Sequence, residues 1–136
     1  MFNQESIWDR SQFQSNLVKM DLVEEDVCAA FLRENESLIA DIQLGIAAYE
    51  PSMISIGVVS LMTQARSMKL TKLDHLAESI YIALEELVNS EVLTDPEIIE
   101  TIEHKLVHLF DVNADAVGVI EDAVMPELPT NVKRLY

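Results

Sequence analysis

The sequence predicts an all-α fold: an antiparallel four-helix bundle with short extra helices at both termini. Three observations lead there. Apolar residues recur at helical spacing in four long segments, each opened by a start signal. Only 3 Gly and 4 Pro in 136 residues leave too few turn formers for a β-rich fold, and a 49% apolar composition argues against disorder. No repeat, Gly-rich linker or low-complexity segment divides the chain, so residues 1–125 read as one domain and 126–136 as a C-terminal tail.

The elements follow in order. A short helix over 5–18 offers Ile7, Trp8, Phe13 and Leu17 as lid residues. Asp21, with Glu24 three residues on, resembles a capping box and opens a helix over 22–48. Its apolar stripe is Val27, Phe31, Leu38, Ile42 and Ile46. Pro51 suits a first-turn position, which places the next helix over 52–68. Thr71 with Asp74 marks a further start, and Leu73, Leu76, Ala77, Ile80, Leu84 and Leu87 form an inner face to residue 90. Asp95-Pro96 reads as an N-cap and first-turn pair, ahead of Ile98, Ile99, Ile102, Leu106 and Leu109. Asn113 can cap a last short helix over 114–125, which Pro126 and Pro129 end. The tail NVKRLY is locally basic and expected to fray.

Charge and composition exclude several function classes. A net charge of −15 repels phosphate backbones, so no nucleic-acid partner is expected and a basic or mixed-charge protein suits better. The longest mostly apolar run, residues 53–62, is too short to span a bilayer, so no membrane partner is expected. The start MFNQESIWDR shows no basic stretch leading an apolar one, which makes the cytoplasm the expected compartment. Cys28, the single cysteine, lies in an apolar run and reads as a reduced, buried thiol.

Chemistry is hard to find. There is no Gly-rich phosphate loop, paired-Cys motif or H-E-x-x-H. Glu100, His104 and His108 share one helical face at spacings of four, which can bind a divalent metal; a solvated stripe with a Glu–His pair outweighs that reading. His75 reads as a surface histidine, and the pairs Glu24-Glu25 and Glu85-Glu86 as solvated faces. No enzyme site, cofactor site or metal site is expected.

One segment departs from the amphipathic pattern. In MISIGVVSLMTQARSMKL, residues 53–70, Ile54, Val58, Leu61, Ala65 and Met68 make the core stripe at spacings of four and three. Ser55, Val59, Met62 and Arg66 make a second stripe on a different side. Two apolar faces on one helix require two coverings. The second is either a contact surface or a seat for a terminal helix.

The order of blocks WDRSQFQSNL, EEDVCAAFLRENESLIADIQLGIAAYEP, a further helix and LTKLDHLAESIYIALEELV resembles a histidine phosphotransfer (HPt) domain across residues 8–110. It is most similar to stand-alone phosphorelay proteins and to the N-terminal domain of chemotaxis-type kinases. The family signature, A-H-x-L-K-G-x-A, falls between those blocks. Aligned from Leu70, it puts Val58 on the alanine, Leu61 on the leucine and Ala65 on the last small residue. Val59 then replaces the phosphoacceptor histidine, Met62 the lysine and Thr63 the glycine. Valine offers no lone pair, and methionine cannot neutralise a phosphoryl group.

The resemblance therefore implies a catalytically silent HPt-like signalling module. Its partner would be a response-regulator receiver domain, a kinase or another signalling protein, with a homodimer possible. The binding surface would comprise Ser55, Val59, Met62, Thr63 and Arg66. Two other functions remain open: an active phosphorelay protein using His75, which lacks a lysine at plus three, or a self-associating helical adaptor outside signalling.

Overall fold

The structure, a computed structural model, describes residues 6–90 and 92–124. Those residues form five helices and no strand: α1 (Arg10–Met20), α2 (Glu24–Ala47), α3 (Pro51–Met68), α4 (Thr71–Asn89) and α5 (Asp95–Val124). Residues 1–5 and the tail 126–136 lie outside the description.

Tight connections hold the helices against their chain neighbours. With few glycines available, the turn residues that usually need one are Asp21, Tyr49 and Lys69, at φ of 56°, 55° and 62°. At all three turns the next amide closes back across the helix end, Glu50 N–H reaching Gly45 O at 2.9 Å after Tyr49. Leu22 N–H reaches Leu17 O at 3.0 Å, and Leu70 N–H reaches Ala65 O at 2.9 Å. The connection between α3 and α4 is only Lys69 and Leu70, and Leu70 is fully buried.

All four expected start signals that rest on a polar cap are used differently, the one at Thr71 and Asp74 included, since Leu70 is the N-cap of α4 and makes no side-chain bond. Asp21 caps the C-terminus of α1 and does not open α2, whose N-cap is Val23 with no side-chain bond. Glu24 cannot complete a capping box because Arg10 holds it, Nη2 to Oε1 at 2.7 Å. That guanidinium keeps the Glu24 carboxyl below its ordinary range, so Glu24 is no plain solvated residue. Before α5 the capping geometry starts one residue earlier than Asp95: Thr94 N–H donates to Glu97 Oε2 at 3.1 Å. The separate helix over 114–125 does not form, because α5 runs unbroken through Asn113 to Val124.

Asn113 is the reason that cap signal misleads. Its amide is buried and exchanges two hydrogen bonds with the buried Asn35 of α2, at 2.7 and 3.0 Å. A side chain satisfied across the core has no cause to stop its own helix. Gln64 of α3 joins the cluster, accepting from Asn35 Nδ2 and donating to Phe31 O, both at 3.4 Å.

The core otherwise follows the expected stripes. Ile54, Val58, Leu61, Ala65 and Met68 of α3 are all buried, as are Leu73, Ala77, Ile80 and Leu84 of α4 and the five apolar residues named on α5. On α2, Phe31 and Ile42 are buried, while Val27, Leu38 and Ile46 are half-buried. Packing is closest where α3 meets α2 and α4; α5 lies against α4 and α2. Gly45 and Gly57 permit the α2–α3 contact: a Cβ on Gly57 would stand 2.5 Å from Ile42 Cγ1, and one on Gly45 2.9 Å from Ile54 Cγ1.

The segment before α2 closes one end of this core. Trp8 Nε1 donates to Met68 O at 2.9 Å, Asp9 N–H donates to Lys69 O at 2.8 Å, and Phe13 and Leu17 are buried beneath. Trp8 stacks obliquely on Phe13, ring centroids 5.6 Å apart. Cys28 is a free, buried thiol, pushed up to about 11 by burial. Among the described residues, no helix is long and apolar enough to cross a membrane.

Candidate functional site

The expected surface is built on α3, so its geometry begins with how α3 is held. Gly57 presses it against α2 on one side. On the other, Arg66 reaches α4 and grips Asp74 with both arms of its guanidinium, Nε to Oδ2 at 3.1 Å and Nη2 to Oδ1 at 2.9 Å. A second carboxylate, Glu78, stands 3.5 Å from the same Nη2. The two acids raise the Arg66 pKa and fix its charge. Asp74, a buried charge, is satisfied by this grip.

With the inner stripe buried, the other side of α3 carries the five expected surface residues. Ser55, Val59 and Met62 are half-buried; Thr63 and Arg66 are exposed. None of the five is fully covered by the described residues. The N-terminal segment places its bonds on Met68 and Lys69, at the end of α3, and α5 packs chiefly on α4 and α2. The Arg66 guanidinium is held by Asp74 and Glu78 while its side chain stays 51% exposed.

Several features of this face escape sequence reasoning. Ile56, one turn before Ser60, is 67% exposed and enlarges the apolar area around Val59. A groove of about 480 Å3 runs between α2 and α3, lined by Glu34, Ser37, Leu38, Ser60, Thr63, Gln64 and Ser67. Its α3 hydroxyls are turned onto their own helix. Ser60 Oγ donates to Ile56 O at 2.9 Å, Thr63 Oγ1 to Val59 O at 2.9 Å and Ser67 Oγ to Gln64 O at 3.1 Å. The hydroxyl spacing was visible in the chain; the partner helix forming the opposite wall was not.

His75 is exposed on α4, and His104 and His108 are exposed on α5 beside the exposed Glu100. Among the described residues, no group of three or more His, Cys, Asp or Glu side chains is placed to hold a metal ion. Tyr81, next to the α3 face on α4, has its phenol pKa raised by a hydrogen bond to Glu85. In comparisons with known proteins, the chain matches no protein-family model, no curated protein and no solved structure.

Proposed function

We propose that this chain is a catalytically silent HPt-like module that binds a signalling protein and regulates it by occupancy. In this reading α2–α5 make an antiparallel four-helix bundle, and the partner is a receiver domain, a kinase or another signalling protein. One observation carries the reading. The alignment that leaves Val58, Leu61 and Ala65 on the structural positions of the HPt signature buries all three, while Val59 is half-buried, Thr63 is exposed and Met62 is half-buried with its side chain packed against the core edge. None of the three positions is fully buried, and in place of the histidine and the lysine stand Val59, which offers no lone pair, and Met62, which carries no charge to offset a phosphoryl group. What remains there is an apolar contact surface.

The test has two arms. The full chain is incubated with a receiver domain carrying labelled phosphate; no acid-labile label should pass to it. Label that passes to the wild type and vanishes in His75→Ala would show an active relay through that histidine. In the second arm, binding of the receiver is compared with a Val59→Asp, Met62→Lys double variant. Both side chains are already half-buried, so covering the rest contributes about 2–3 kcal/mol. The variant should keep its helical signal and melting temperature while binding weakens by about thirtyfold or more. A large fall in melting temperature would mean that the stripe belongs to the core.

A further inference from the structure

We infer that the outer strip of α3 seats a basic amphipathic helix supplied by a partner protein; this rests on reading that face as an interaction surface. The argument begins with charge. The chain carries 24 acidic residues, yet residues 51–68 contain no Asp or Glu, and their single cation, Arg66, is already gripped by α4. An uncharged helix in so acidic a chain leaves a neutral strip on its surface. The strip is also less polar than its composition suggests, because Ser60, Thr63 and Ser67 spend their donors on their own helix. Ile56 and Val59 supply its apolar centre, with Met62, half-buried against the core, at its edge.

Carboxylates border the strip on both sides. Glu34 stands in the groove wall on α2, and Asp41 follows it on the same helical side, two turns on. Along α4, Glu78 lies against Arg66, and Glu85 follows on the same side, where it bonds Tyr81. The cation nearest on α2, Arg33, is about 100° round the helix from Glu34. A neutral, partly apolar strip between two acidic borders is complementary to one shape of ligand. That ligand is a helix with an apolar stripe flanked by Lys or Arg. Its length is set by α3, whose 18 residues run about 27 Å.

The same charges decide between occupants. A second copy of this chain would bring its own acidic borders against these, and like charges across an interface are costly. Nucleic acid and an anionic lipid surface carry the wrong sign altogether. A cationic helix satisfies the borders and covers the strip.

The probe is a synthetic 18-residue peptide of Leu and Lys in amphipathic helical order. Its controls are the same residues in scrambled order and a Leu/Glu counterpart. The full chain, labelled with nitrogen-15, is titrated with each at low and at physiological salt. The amphipathic cationic peptide should bind saturably, with backbone shifts centred on Ile56, Val59 and Thr63, and the Leu/Glu peptide should not bind. Glu34→Gln with Glu78→Gln should weaken it roughly fivefold. The deciding variant is Val59→Asp. It adds negative charge, so unspecific attraction would tighten, whereas seating on the strip should weaken by about tenfold.

Equal binding by the scrambled peptide, tightening by Val59→Asp, or shifts centred away from α3 overturns the inference. So does a concentration-dependent dimer whose contact maps to the same strip. If the peptide fails while the Val59→Asp, Met62→Lys variant still loses the receiver domain, the contact surface stands and only the cationic helix is refuted. If peptide and receiver both ignore that variant, the surface itself is refuted.

Discussion

Gly57 is where α3 comes closest to α2, and adding one methyl there should measure how firmly the two helices are locked. The Cβ of Gly57→Ala would stand 2.5 Å from Ile42 Cγ1 and 3.4 Å from Ile42 Cδ1. The first distance is about an ångström inside ordinary carbon–carbon contact. Ile42 is fully buried, and Cγ1 lies too near its own backbone to swing away, so the helices must part. Overpacking of this kind costs about 1–3 kcal/mol, offset by about 1 kcal/mol from replacing a helical glycine with alanine. The net expectation is a loss of up to about 2 kcal/mol, or up to about 10 °C in Tm.

Gly118→Ala is the internal control, because nothing lies within 4 Å of its Cβ position. There the propensity gain acts alone, and stability should rise by about 0.5–1 kcal/mol. Urea and thermal unfolding followed by far-UV circular dichroism read both. A further variant, Gly57→Ala with Ile42→Ala, should be more stable than the sum of its parts by at least about 0.5 kcal/mol, since the new methyl enters space that Ile42 vacates. If Gly57→Ala stabilises as much as Gly118→Ala, the close α2–α3 approach is wrong, and so is the groove whose width depends on it.

Two other expectations bear on the core. Asn113→Leu removes the donor to the buried Asn35 Oδ1, leaving Asn35 only its bond to Gln64, and should cost about 1–3 kcal/mol, while Asn35→Leu with Asn113→Leu should cost less than the two single changes added; unfolding titrations of the three variants form the cycle. Because the Cys28 thiol is raised to about 11 from 9.0, its contribution to stability is complete below 9, where both states hold the proton. As pH rises from about 9 to 11 the unfolded chain ionises first and stability falls. Cys28→Ala should flatten that part of the urea-midpoint profile.

The sequence exposed the fold through its apolar spacing, and most plainly on α3 and α5, where every residue named as core is buried. Boundaries were less legible, for a definite reason. The polar residues that mark helix starts can also bond elsewhere, and here Asp21, Glu24 and Asn113 all do: the first closes α1, the second takes Arg10, the third crosses the core to Asn35. Asp74 shows the same diversion, leaving its capping role for Arg66. Of the candidate surface, the incomplete burial of Val59 and Met62 could be read from their offset from the core stripe, but not that Met62 would pack against the core edge. The groove wall on α2, the exposure of Ile56 and the clasp on Arg66 could not, since each depends on which helix lies alongside.

The outer face of α3 is poorly chosen for a helix that merely faces water. Ile56, Val59 and Thr63 are β-branched and lose rotamer freedom in a helix, and the hydroxyls of Ser60 and Thr63 bond back onto carbonyls that the helix already uses. Glu, Lys or Gln at those positions would favour the helix more and hydrate better. The exposed sides of α2 and α4 carry acidic residues that α3 lacks, Glu34, Glu36 and Asp41 on one and Glu78 and Glu86 on the other, beside the exposed Leu44 and Ile82. On α3 local preference gives way over several turns with no acidic residue between them, at a face that Gly57 and Arg66 hold in place from either side. Neither the buried core nor helix propensity calls for those side chains. A surface that is locally unfavourable and rigidly presented is what a partner-binding face requires, because the helix need not be reordered when it is covered.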